Sequence, residues 1–104
     1  MFKSFKQFIS ESNVRNIPVK DIYDPQGVLD DDAVDKYAKK IKAGEKVNPI
    51  ILLLVTEKTL KKKYKYYIYD GTHRFHGHIK AGKNTVSVVI AYDEDEANRI
   101  QMRQ

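Results

Sequence analysis

The sequence predicts an α+β domain, a small mixed sheet of about four strands with helices packed on it, and three stretches carry that prediction. The run Ile50-Ile51-Leu52-Leu53-Leu54-Val55 is apolar throughout and of strand length, which suits a strand covered on both faces. Val34, Tyr37, Ala38 and Ile41 recur at i, i+3, i+4 and i+7, the stripe of a helix with one buried side. Around Asp70-Gly71 the period-two pattern of Tyr67-Ile68-Tyr69 gives way to the helix-compatible Thr72-His73-Arg74-Phe75, which reads as strand, tight turn and helix start.

A chain of 104 residues, 41% hydrophobic, makes one domain with a modest core. Its net charge of +5 favours polyanionic neighbours, although plain soluble proteins also carry such an excess. The absence of cysteine excludes a disulfide, a thiolate zinc site and a cysteine nucleophile. No apolar run approaches the ~18 residues of a membrane span, and the N-terminus lacks the apolar core of a secretory signal. A cytoplasmic protein with no membrane partner is expected.

Residues 1–13 form a segment of their own, with Phe2, Phe5, Phe8 and Ile9 on one side of an amphipathic helix, ahead of a domain spanning 14–104. Ile17, Val19 and Ile22 mark a first strand and its exit, and Pro18 suits an edge or a bend. Asp24, Pro25 and Gly27 are turn chemistry. Asp30 to Asp32 cap a helix over 33–43 that carries Lys36 and Lys40 on a second face, and Gly44 stops it. After the apolar strand, Lys61, Lys62 and Lys63 form the tip of a long hairpin leading to a strand at 64–69. The next helix, 72–81, turns Phe75 and Ile79 inward, with Gly77 allowing close approach to the sheet. A strand at 85–92 follows, and Asp93 and Glu96 stand at capping-box spacing for a last helix docked by Ala97 and Ile100.

The chemistry concentrates at the Asp-Gly turn. Gly71 can adopt backbone angles closed to other residues, and the first amides of the following helix point outward beside its positive dipole end. Such a terminus holds anions. His73 and Arg74 add side-chain donors, and Thr72 contributes a small hydroxyl. The reading stands on two conditions: the guanidinium must not be buried against a carboxylate, and the amides must not be consumed by carbonyls. Metal ligation is the weaker use of the histidines, because His76 and His78 diverge on a helix and no acid adjoins them in sequence. Lys61, Lys62 and Lys63, with Tyr64, Tyr66 and Tyr67, could meet a nucleic-acid backbone and bases, but better suit an exposed edge kept soluble by charge, with the tyrosines as ordinary strand residues.

Asp70-Gly71-Thr72-His73-Arg74-Phe75, then Ala81-Gly82-Lys83-Asn84 and the strand after it, resembles the phosphate-binding segment of the ParB/sulfiredoxin superfamily. Ile17 to Ile22, Val28-Leu29-Asp30 and Asn48-Pro49-Ile50-Ile51 resemble its N-terminal half in the same order. The resemblance implies a nucleotide held by Gly71, Thr72, His73 and Arg74, with Lys36 and Lys40 near its phosphates, and ATP or another nucleotide with Mg²⁺ as cofactor. Thr72 stands where sulfiredoxin has its cysteine, which removes sulfinate reduction. The arginine motifs and DNA-reading domain of partition proteins have no counterpart, which points away from partition. A kinase-like or NTPase-like phosphoryl transfer is then the leading expectation, with Asp24 as the base and His73 beside the phosphate. A DNA-binding or nuclease-like module is the second expectation, and a non-enzymatic inhibitor of a host protein the third. Residues 1–11 also resemble the capsid-targeting leader of internal head proteins in T-even-like bacteriophages. That implies cleavage between Glu11 and Ser12, a virion interior and delivery into a host cytoplasm. Arg74→Ala is expected to abolish nucleotide binding and leave the melting curve nearly unchanged.

Overall fold

The computed structural model describes residues 14–28 and 30–104, so the leader helix and the Glu11/Ser12 cleavage position lie outside the described residues. The elements run β1 (Val14–Pro18), a 3-10 turn (Val19–Asp21), β2 (Ile22–Tyr23), α1 (Asp31–Lys42), β3 (Ile50–Leu54), α2 (Lys58–Lys61), β4 (Tyr66–Asp70), α3 (Thr72–Lys80), β5 (Thr85–Ile90) and α4 (Glu94–Met102). The α+β architecture is as expected, with five strands rather than about four, in the order β1-β5-β3-β4-β2.

The additional strand comes from the stretch read as one strand and its exit. Pro18 has no amide to continue a ladder, and the chain breaks there into the 3-10 turn. β1 pairs antiparallel with β5 and β2 pairs parallel with β4, so the two halves occupy opposite edges of one sheet. A 3-10 turn rises ~2 Å per residue, so three residues cover roughly 6 Å. Edges joined by so short a link must face each other, and the sheet is curled accordingly. The turn is fastened on both sides: Val19 N donates to Asn84 O at 2.9 Å, and Lys65 N donates to Asp21 O at 2.9 Å.

β3 sits at the centre, parallel to β5 and antiparallel to β4. Its alternate side chains enter two separate cores, as the pleat requires. Ile50 and Leu52 join Ile22, Ile68, Phe75, Val86 and Val88, while Ile51 and Leu53 join Val89, Ala91, Ala97 and Ile100. One face is therefore covered by α3 through Phe75, the other by α4. α1 lies outside α3 and buries Val34, Ala38 and Ile41. Gly77 is the point of closest approach, where an added Cβ would stand 2.7 Å from Tyr37 Cβ. The close approach is thus to α1 and not to the sheet. Ile79, expected inward, is 40% exposed, because the buried arc of α3 runs through Arg74, Phe75 and His78 while Gly77 meets α1.

The expected caps are present. Asp30 Oδ1 accepts from Asp32 N and Ala33 N, Asp93 accepts from Glu96 N, and Glu96 returns a bond from Tyr92 N. The hairpin tip differs from expectation: it contains α2, nucleated by Glu57, whose carboxylate accepts from Thr59 N and Leu60 N. Tyr64 N donates to Leu60 O, which keeps Tyr64 in that turn and delays β4 to Tyr66. Among the described residues no helix is long and apolar enough to cross a membrane.

Candidate functional site

β4 delivers the chain to the site through an irregularity. Its partners on β3 shift between Ile51↔Asp70 and Leu52↔Ile68, leaving Tyr69 as the extra residue of a bulge immediately before the turn. Gly71 then takes φ +110°, a left-handed conformation open to glycine, and caps α3 with no side-chain acceptor. The first intrahelical bond is Phe75 N to Gly71 O, so the amides ahead of it have no partner within the helix. They border a cleft of about 280 Å³ lined by Gln26, Tyr37, Tyr69, Asp70, Gly71, Thr72, His73 and Arg74.

The condition on the guanidinium fails, and with it the anion site as expected, which counted that fork among its donors. Arg74 is 8% exposed, and its Nη2 lies 2.8 Å from Asp70 Oδ2. Its Nη1 donates to Asn48 O, Pro49 O and Gln104 Oε1. The fork expected to grip phosphate is instead a brace between α3, the entry to β3 and the end of α4. Arg74→Ala would leave Asp70 without its ion pair and Asn48 O without that donor, while Pro49 O keeps Gln104 Nε2, a loss of about 2–4 kcal/mol. The expectation of an unchanged melting curve is therefore corrected.

Beyond the Asp70–Arg74 pair opens a second cleft of about 410 Å³, lined by Tyr37, Lys40, Lys46, Val47, Asn48, Gln101 and Gln104 as well as the pair itself. Lys40 Nζ stands 5.9 Å above the Tyr37 ring. Tyr37, Asp70 and Arg74 are common to the two clefts, which makes them neighbouring halves of one groove. Lys40 therefore lies beside the expected anion position, whereas Lys36 is exposed and lines neither half.

Asp24 reaches the start of α3 from the loop after β2. Its Oδ1 accepts from Gln26 N, Gly27 N and Thr72 Oγ1, at 3.1, 3.1 and 3.2 Å, and its Oδ2 lies 2.8 Å from His76 Nε2. Burial alone would push this carboxyl up, but the hydrogen bonds from His76, Gly27, Gln26 and Thr72 together outweigh it and hold the group below its ordinary value. An ionised carboxylate only accepts, so Nε2 of His76 carries the hydrogen. A carboxylate held below its ordinary value is a weak proton acceptor near neutral pH. Its evident effect is to fix the Thr72 hydroxyl, the His76 ring and the loop bearing Gln26.

Asp24 was expected to act with His73, and the structure pairs it with His76. His73 lines the cleft. The sequence held a signal for this partner, since Thr72 and His76 are four apart and share a helix face. His78 is buried and its Nε2 has no partner. Among the described residues no group of three potential metal ligands is assembled. Lys61, Lys62 and Lys63 are exposed at and after α2, away from the groove.

Residues 3–104 match the family model of the ParB N-terminal domain. The chain belongs to the ParB N-terminal domain family. Solved structures share the fold of this ParB-like domain. The C-terminally truncated chromosome-partitioning protein ParB from Caulobacter crescentus, complexed with CTP-γ-S, superposes with a TM-score of 0.63 at 16% identity, covering 86% of this chain and 49% of that one. The chain thus spans about half the length of that ParB structure. Sulfiredoxin from Arabidopsis thaliana gives a TM-score of 0.62 at 23% identity, covering 88% of this chain and 98% of that one. A conserved hypothetical protein from Pyrococcus furiosus gives 0.63 at 18% identity over 77% of this chain and 32% of that one. No curated protein matches the chain significantly.

Proposed function

We propose that this ParB-like domain binds a nucleoside triphosphate in the groove at the start of α3. The observation that carries the reading is the uncapped, glycine-initiated N-terminus of α3, whose amides border a cleft large enough for phosphates and continuous with a second, lysine-bearing half. In this proposal the amides of Thr72 and Arg74 and the side chain of His73 take phosphate oxygens. Lys40 supplies charge from the adjoining half. Arg74 keeps the groove in shape, because its donors are already committed. The family supports the reading: the Caulobacter ParB structure holds CTP-γ-S.

A finer part of the proposal is phosphoryl transfer or hydrolysis with ATP or another nucleotide and Mg²⁺. It is supported by Asp24 standing within hydrogen-bond distance of Thr72 at the same helix start. Catalysis of this kind is mostly positioning and charge stabilisation, which a rigid, donor-rich turn provides. The capsid-leader resemblance of residues 1–11 adds a phage setting to the proposal, with cleavage at Glu11/Ser12 as its mark.

Thermal-shift titration with ATP, CTP, GTP and ADP, each with Mg²⁺, tests the binding proposal. A ligand at a hundred times its Kd adds about 2.7 kcal/mol of stability. One nucleotide is expected to raise the melting temperature, and His73→Ala and Lys40→Ala each to weaken it several-fold. No shift with any nucleotide, or shifts indifferent to both substitutions, would refute the site.

A further inference from the structure

We propose that the cleft at the C-terminal ends of β3 and β5, beside the start of α4, is the docking site of this chain's own residues 2–9. The cleft has a volume of about 460 Å³ and is lined by Leu54, Tyr67 and Tyr92 among its apolar residues and by the acids Asp93, Glu94 and Asp95. Leu54 is 56% exposed and Tyr92 93%, so two large apolar side chains stand uncovered in one place. Single exposed apolar residues mean little, whereas several lining one concavity mark a surface that another segment covers. Tyr67 packs against the core beneath, and burial first, then the charge of Glu94, hold its phenol above the ordinary value. Among the described residues no cation pairs with Asp93, Glu94 or Asp95.

The path of the chain selects the occupant. β1 is antiparallel to β5 with Val14 opposite Val89, so the residues ahead of Val14 are delivered to the end of the sheet where β5 runs on to Ala91 and Tyr92. Tyr92 lies three residues beyond Val89, roughly 10 Å along the strand. Residues 10–13 span at most ~14 Å, which is enough to bring Ile9 to the rim. Residues 2–9 carry Phe2, Phe5, Phe8 and Ile9 together with Lys3 and Lys6, and no acid. The apolar side chains match Leu54 and Tyr92, and the ammonium groups match Glu94 and Asp95. A short tether holds such a segment at an effective concentration on the order of millimolar, an advantage over a basic peptide from another protein. The cleft shares no residue with the α3 groove, so docking leaves the nucleotide proposal untouched.

The test uses the absence of cysteine: Ser4→Cys accepts a single nitroxide label in the full-length protein. With the label oxidised, the amide signals of Leu54, Thr56 and Tyr92 to Asp95 are expected to lose intensity several-fold relative to the reduced label, and those of Gly71 and His73 to lose much less. Phe5→Ser, Leu54→Ser and Glu94→Lys, each added to the labelled protein, should restore most of that intensity. Leu54 and Glu94 are exposed, so both variants are expected to melt cooperatively, and Phe5→Ser reads the contact from the segment's own side. The proposal is overturned if these signals are equally strong with oxidised and reduced label, or if none of the three substitutions changes the broadening. It is also overturned if the broadening arises only between molecules, in a mixture of nitroxide-labelled protein and isotope-enriched protein without the label, because the occupant is then a second copy.

Discussion

His78 shows how burial and neighbouring charge act on one side chain. It is 9% exposed, and burial first, then the charges of Lys83 and Arg74, hold its imidazole below the ordinary value of 6.5. The unfolded chain therefore takes up a proton before the folded one does. Stability is full above pH ~6.5 and is lost as the pH falls from there toward the folded value. Urea midpoints measured across that interval are expected to drop for the wild type and to drop less for His78→Leu. Parallel profiles for the two proteins would contradict the assignment. Arg74 carries a second lesson at this scale. The turn at Gly71 is legible because only glycine suits its backbone angles, and the fate of the guanidinium is foreshadowed by Asp70, an acid four residues earlier on the way into the same helix. That i, i+4 relation was available in the sequence. The two carbonyls and Gln104 that complete the brace come from positions far away along the chain and were not.

Among the elements, the contact between α1 and α3 governs the groove, because Tyr37 and Lys40 line it from α1 while Thr72 and Arg74 line it from α3. Gly77 sets the spacing. Alanine there would press its Cβ against Tyr37 and the adjoining backbone of Ala38, and overpacking of this sort costs about 1–3 kcal/mol. Gly77→Ala is expected to lower the melting temperature and also to weaken nucleotide binding, since Tyr37 must move. A variant as stable as wild type would show that α1 yields without cost. Local signals were read most reliably where one residue decides the outcome, Asp30 and Asp93 as caps, and in the apolar run of β3, whereas Pro18, expected at an edge or a bend, breaks the first strand in two. The helical turn α2 escaped because its cap is Glu57, a residue with little preference for that position. The pairing of Asp24 with His76 escaped because it joins a loop and a helix separated by 52 residues.

For the molecule as a whole, the order of strands predicts the order of unfolding. β3 is flanked by β4 and β5, and Ile50, Ile51 and Leu52 are fully buried between two cores. Hydrogen exchange is expected to be slowest at the β3 amides and fastest among the strands at the two-residue β2. Protection that is uniform from centre to edge would argue that the sheet opens only as a unit. The α+β class followed from periodicity, whereas the curl depends on which edges β1 and β2 join, and neither strand carries a local mark of its partner.

The splitting of the first strand also bears on self-association. Growth of a sheet by strand addition begins from an unpaired backbone margin, and a two-residue β2 offers hardly any template. Among the described residues that leaves β1, where Pro18 lacks an amide and Arg15 brings charge into any stacked copy. The same kink that closes the sheet thereby guards it against fibrillar recruitment.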